Sequence, residues 1–307
     1  MLDLDTEFAA RAHAAAAQFP LRVPRGFIAR MRPGDPYDPL LRQVLPIEAE
    51  CGQSAGFEID PLGEHALCTG DGVLQKYAGR ALLLTTGACA VHCRYCFRRH
   101  FPYAHETAAA GGWAAALDHI RRTPDLREVI LSGGDPLSLA DHKLARLAES
   151  LVAIPHVERL RIHTRQPIVL PERVDDGLTG WLARLSLHKI VVVHCNHPNE
   201  IDATVRSALQ RLRDCGVTLL NQAVLLRGIN DSAQVLVTLS EALFSAGVLP
   251  YYLHLLDPVQ GTAHFDVPED RAVAILGAVA GRLPGYLVPR LAREVAGRPA
   301  KTVLPVP

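Results

Sequence analysis

The chain is short of several things, and each shortage removes a class of explanation. Its 32 Lys and Arg are matched by 32 Asp and Glu, so no charge excess draws it to nucleic acid or an anionic lipid surface. No run of apolar residues is long enough for a transmembrane helix. The opening MLDLDTEFAARAHAAAAQFP carries acids before its Ala-rich stretch, with no basic leader, which argues against a signal peptide. Internal repeats and low-complexity linkers are absent as well. Seven cysteines in 307 residues are too few, and odd in number, for a disulfide scaffold. A reducing cytoplasm is therefore expected. What is plentiful is hydrophobic material, at 49% of residues, enough for one large folded core rather than disorder.

That material is arranged in a rhythm. Six short apolar runs of strand type lie at 81–86, 128–133, 159–164, 189–194, 217–226 and 250–257. Between and after them, near 113–122, 138–152, 175–185, 200–214, 232–246 and 268–280, apolar residues recur every three or four positions, as on an amphipathic helix. Continuous apolar strands alternating with helices imply parallel strands covered on both faces. Six units fall short of eight, so the expected fold is α/β, an open, partial (β/α)6 TIM-like barrel, with a doubly wound sheet as the other arrangement of similar pattern. Residues 1–75, rich in Pro and Gly, are expected to form a small helical or irregular region, residues 76–285 the barrel, and residues 286–307 an extended tail.

The chemistry concentrates after the first run. GACAVHCRYCFRRHF places Cys89, Cys93 and Cys96 in the pattern CxxxCxxC, three thiols within eight residues. In a parallel barrel, loops leaving the C-terminal ends of strands build the site. Three thiolates on a [4Fe–4S] cluster leave one iron open to a ligand, whereas structural zinc usually takes four protein ligands. The competing reading is a zinc site completed by His92, His100 or a distant Cys. Cys51, Cys68, Cys195 and Cys215 are scattered and read as small buried residues. The second run ends in SGGDP, where Gly133 and Gly134 permit close backbone approach to a ligand and Asp135 offers a carboxylate.

CxxxCxxC after the first strand resembles the radical S-adenosylmethionine (SAM) superfamily, in which the open iron chelates SAM. The resemblance implies that Ser132, Gly133, Gly134 and Asp135 help hold SAM. Over residues 20–303 the chain looks most like lysine 2,3-aminomutases, through RALLLTTGACAVHCRYCFRR, LSGGDPLSL, HTRQPIVLPERV, HCNHPNEI, NQAVLLRGIND and PYYLHLLD. That likeness implies further SAM contacts from His194 and Gln222, a Schiff-base Lys301 for pyridoxal 5'-phosphate (PLP), and Tyr77 and Arg80 near PLP or substrate. It also implies Arg98 on the carboxylate of L-lysine, and Asp257 and Glu294 on its distal ammonium. A planar guanidinium suits a carboxylate, and two acids suit a cation. Six residues follow Lys301, and the segment FPLRVPRGFIARMRPGDPYDPLLRQVLP is similar to shorter relatives that supply (R)-β-lysine, made from (S)-α-lysine, for elongation factor P through a separate lysyl ligase. A reductant such as flavodoxin or ferredoxin is implied with it. An aminomutase for another amino acid, or a non-catalytic iron–sulfur or zinc protein, is the alternative.

Overall fold

The computed structural model describes residue 2 and residues 6–67, 72–103 and 113–305. Nine strands form one sheet in sequence order: β1 (Val73–Tyr77), β2 (Arg80–Thr86), β3 (Glu128–Gly133), β4 (Arg159–Thr164), β5 (His188–Val193), β6 (Thr218–Val224), β7 (Leu249–His254), β8 (Arg290–Arg293) and β9 (Thr302–Val303). Strands β2 to β8 are parallel, while β1 and β9 are antiparallel additions at the two edges. Among the described residues β1 and β9 do not pair, so the sheet is an open, partial barrel as expected. The six runs expected from sequence are β2 to β7.

The three further strands are short, and two of them, β1 and β8, carry charge. β8 reads RLAR, exposed at its ends and buried in its middle, and β9 has two exposed residues. Neither has a long apolar run to betray it. β7 ends at His254 and β5 at Val193, so Asp257 and His194, expected at strand ends, lie in the loops that follow.

Helices α1 (Thr6–Gln18), α2 (Ala114–Arg122), α3 (Asp141–Val152), α4 (Asp176–Arg184), α5 (Ala203–Asp214), α6 (Ala233–Ser245) and α7 (Glu269–Ala280) include one after each of β2 to β7. The apolar spacing explains what they bury. Leu144, Leu147, Ala148 and Leu151 of α3, and Val205, Ala208, Leu209 and Leu212 of α5, occupy one stripe each and join the main core. Starts are set locally: the side chains of Asp175, Asp202 and Ser232 accept from the backbone N–H of Leu178, Val205 and Val235.

The segment before the sheet lies on the cysteine loop. Phe27, Met31, Leu40, Leu41 and Val44 cluster with Val91 and Val169. The Ala15 and Phe19 carbonyls, at the end of α1, accept from the guanidinium of Arg94. No described helix is long and apolar enough to cross a membrane.

Candidate active site

A cavity of about 460 Å³ opens at the C-terminal ends of the parallel strands, and all fifteen side chains or glycines singled out from sequence line it. The cysteine loop forms one wall. Its arginines are not a solvated turn: Arg94 is fully buried on Glu50, with Nε–Oε1 2.9 Å and Nη2–Oε2 2.5 Å, and Arg99 Nη2 reaches the same carboxylate at 2.8 Å. A carboxylate facing two guanidiniums staples the loop to the segment that precedes the sheet.

Cys89, Cys93 and Cys96 are half-buried on this wall. Burial pushes the Cys89 thiol up, with Cys96 beside it, and pushes the Cys96 thiol up to about 11, with Cys93 beside it. Such thiols ionise readily only next to a strong positive charge, which bound iron supplies. Among the described residues no three His, Cys, Asp or Glu side chains converge on one point as a single ion requires. A [4Fe–4S] cluster asks something else, one thiolate for each of three irons. The histidines of the zinc reading face away: His92 Nδ1 lies 2.7 Å from the Pro20 carbonyl with its ring stacked on Phe19, and His100 Nε2 lies 3.2 Å from the Gln260 carbonyl. The residues present therefore fit a cluster better than zinc. Of the other cysteines, Cys195 is buried in the main core, Cys51 and Cys215 are half-buried, and Cys68 lies outside the described residues.

The SGGDP turn lines the cavity and is fixed by tight backbone packing. A Cβ at Gly133, where φ is +124°, would meet the Thr86 carbonyl oxygen at 2.5 Å, and one at Gly134 would meet the Ala88 oxygen at 2.4 Å. The glycines let the turn lie against the end of β2 and the start of the cysteine loop, where Gly134 N donates to the Thr86 oxygen at 2.6 Å and Asp135 N to the Ala88 oxygen at 2.8 Å. Asp135 is also occupied. Its carboxylate accepts from Leu137 N, Thr164 Oγ1 and Arg165 N, so it clamps two strand ends together and leaves the turn's backbone to face the cavity. His194 Nε2 and Gln222 Nε2 are 3.0 Å apart, and burial, with Arg165 nearby, pulls the His194 imidazole down to about 3. It is a neutral hydrogen-bonding group at any physiological pH.

From the cysteine loop to the β8–β9 hairpin, five charges alternate in sign. Arg98 holds Glu64 through both carboxylate oxygens, at 2.6 and 2.8 Å; Lys76 Nζ lies 2.9 Å from Glu64 and 3.0 Å from Glu294; Lys301 Nζ lies 2.5 Å from the other oxygen of Glu294. The last contact follows from the β8–β9 hairpin, whose register pairs Arg293 with Thr302 and so brings the next two residues together. Burial works against ionisation of Glu64 and Glu294, yet Arg98 and Lys76 hold the first, and Lys301 and Lys76 the second, at about 2. Asp257 has less support. Burial, reinforced by Glu294, raises it to about 7. Arg80 stacks on the Tyr77 ring, 4.6 Å from its centroid, and forms no ion pair among the described residues.

Four contributors escaped the sequence reading: Glu64, Lys76, Arg165 and His163. Glu64 sits in a single turn, Glu64–Leu67, with no motif around it. Arg165, two residues beyond His163 in HTRQP, donates to Cys93 Sγ at 2.8 Å, and on the cavity wall burial, with Arg161 nearby, lowers the His163 imidazole. Lys76 lies on β1, where VLQKY has no apolar alternation to mark it.

No family model matches the chain. Curated relatives do: it is 53% identical over 306 residues to the L-lysine 2,3-aminomutase of Escherichia coli K12, covering 99% of this chain and 89% of that protein. The enzyme of the same name from Haemophilus influenzae is 50% identical, with 94% and 86% covered, and that from Clostridium subterminale 38% identical, with 90% and 66% covered. A solved radical SAM methyltransferase from Sphaerobacter thermophilus aligns over 72% of this chain and 68% of its own, at 16% identity and a TM-score of 0.48. With relatives this similar over nearly its full length, the chain belongs to the L-lysine 2,3-aminomutase family.

Proposed function

We propose that this isomerase moves the α-amino group of free L-lysine to the β-carbon, turning (S)-α-lysine into (R)-β-lysine. The observation that carries the reading is the convergence, in one cavity, of three cysteines, a lysine presented on a hairpin, and charges that match both ends of the substrate. Cys89, Cys93 and Cys96 would hold a [4Fe–4S] cluster. The turn at 132–135, His194 and Gln222 would hold SAM, and Lys301, with Tyr77 and Arg80, PLP. When bound, these groups supply a 5'-deoxyadenosyl radical and a π-system over which an unpaired electron spreads.

What the chain's own residues do follows from charge. Arg98 binds the substrate carboxylate. Glu294 holds the Lys301 ammonium at 2.5 Å. Glu294 and Asp257 supply the negative charge that faces the distal ammonium of lysine. The barrel at 76–285 would serve the cluster and SAM, and the tail at 286–307 would deliver Lys301. Likeness of residues 19–46 to relatives that serve elongation factor P supports a role in supplying β-lysine to its lysyl ligase, in a cytoplasm where flavodoxin or ferredoxin provides electrons.

The test is anaerobic reconstitution with iron, sulfide and PLP, followed by incubation with SAM, reductant and L-lysine. β-Lysine should form with stoichiometric loss of α-lysine. Protein that takes up zinc in place of iron, or that leaves lysine unchanged while converting another amino acid, would overturn the reading.

A further inference from the structure

A guanidinium has five N–H donors, and in Arg98 three are accounted for. Nε donates to Glu64 Oε2 at 2.6 Å, Nη2 to Glu64 Oε1 at 2.8 Å, and Nη1 to Ser132 Oγ at 3.1 Å. One N–H on each terminal nitrogen is left, on a residue that lines the cavity and whose charge Phe97 covers from one side, 4.8 Å from the ring centroid. Glu64 is itself only 3% exposed and has a second partner in Lys76, which reaches on to Glu294. A buried carboxylate on the inner edge of a guanidinium fixes its plane, and leaves one N–H on each terminal nitrogen for another carboxylate.

We infer that Glu64 is a positioning residue for substrate recognition: it aims Arg98 at the α-carboxylate and, through Lys76, links that seat to the acid that meets the distal ammonium. The inference rests on the proposed role of Arg98. It differs in sign from the simplest other reading of the same contact, in which Glu64 occupies the carboxylate seat and competes with substrate. A positioning acid makes substrate bind more tightly, whereas a competitor makes it bind less tightly.

The experiment is isothermal titration of the reconstituted protein with L-lysine and with cadaverine, which has the same chain and amines but no carboxylate. The parent should prefer lysine, and Arg98→Gln should abolish the preference. Glu64→Gln should cut lysine affinity about ten- to a hundredfold, the worth of one or two hydrogen bonds to a charged group, while cadaverine binds as before and iron content is unchanged. In turnover the same variant should raise KM with kcat within about threefold of the parent. Glu64→Asp, which keeps the charge one methylene short, should fall between, and carries the test if the Gln variant does not fold. An unchanged preference in Glu64→Gln, a stronger one, or equal losses for both ligands overturns the inference. If the parent shows no preference, or Arg98→Gln keeps it, the proposed role of Arg98 fails first and the inference with it.

Discussion

At the scale of single residues the cavity is a problem in compensated charge. Asp257→Asn and Glu294→Gln each remove one partner of a cation in a largely buried site, a change that costs about 3–5 kcal/mol, or roughly two to four orders of magnitude in binding or turnover. Both should depress kcat/KM for lysine that far while iron and PLP content hold, and Glu294→Asp should be much milder because the charge stays. Asp257 also predicts a pH dependence. With its carboxyl raised from 3.8 to about 7, it is neutral below that pH and cannot compensate an ammonium. Lysine affinity should therefore rise from pH 6 to pH 8, and the rise should flatten in Asp257→Asn. Stability runs the other way: between 3.8 and about 7 the folded protein keeps a proton that the unfolded chain releases, so the ligand-free protein loses stability as pH rises through that window. Denaturant titrations of parent and Asp257→Asn across it check the sign. Arg98, Asp257, Glu294 and Lys301 were legible in sequence only through likeness to a family, because a charged residue in a loop looks the same whether it ends in water or in a cavity.

At the scale of elements, two pieces of local structure place the chemistry. One is the double-glycine turn, whose Cβ-free backbone lets the end of β3 lie against the cysteine loop. Gly134→Ala puts a methyl 2.4 Å from the Ala88 oxygen, and the atom it meets is backbone and cannot swing aside. The strain should cost about 1–3 kcal/mol of stability and more of SAM affinity, read as a lower Tm with weakened SAM binding in the same protein. The other is the β8–β9 hairpin, which carries Lys301. Lys301→Ala should abolish covalent PLP attachment and β-lysine formation yet leave iron uptake intact, since the cluster ligands sit on the loop after β2 and not on this hairpin. Mass mapping of the PLP-bearing peptide after borohydride reduction to a lysine other than Lys301 would refute the assignment. The six strands β2 to β7 and the helices α2 to α7 that follow them were evident from periodicity. This hairpin was not, since RLAR and TV are too short and too polar to show one.

For the whole molecule, a core shared by the sheet and its helices stands apart from the loops that hold the chemistry, so the two should fail separately. Leu147→Ala, deep under α3, should cost about 2–5 kcal/mol and lower Tm with little change in lysine KM. Replacing Cys89, Cys93 or Cys96 by Ala should do the reverse, removing iron and SAM cleavage while Tm shifts little. The loop keeps its Arg94–Glu50 and Arg99–Glu50 pairs without the thiols.

By itself, the sequence determined those features that depend on near neighbours along the chain: six strand–helix units and three thiols spaced to wrap one centre. Periodicity and spacing are short-range, and short-range preferences survive whatever the rest of the chain does. Only the tertiary structure decided which charges meet. Arg98 finds Glu64 34 residues away, Arg165 finds Cys93 72 residues away, and Lys76 reaches Glu294 across 218. Whether a buried carboxyl such as Asp257 keeps its proton depends on what the fold sets opposite it, because the energy of a charge out of water is set by its surroundings and not by its place in the chain.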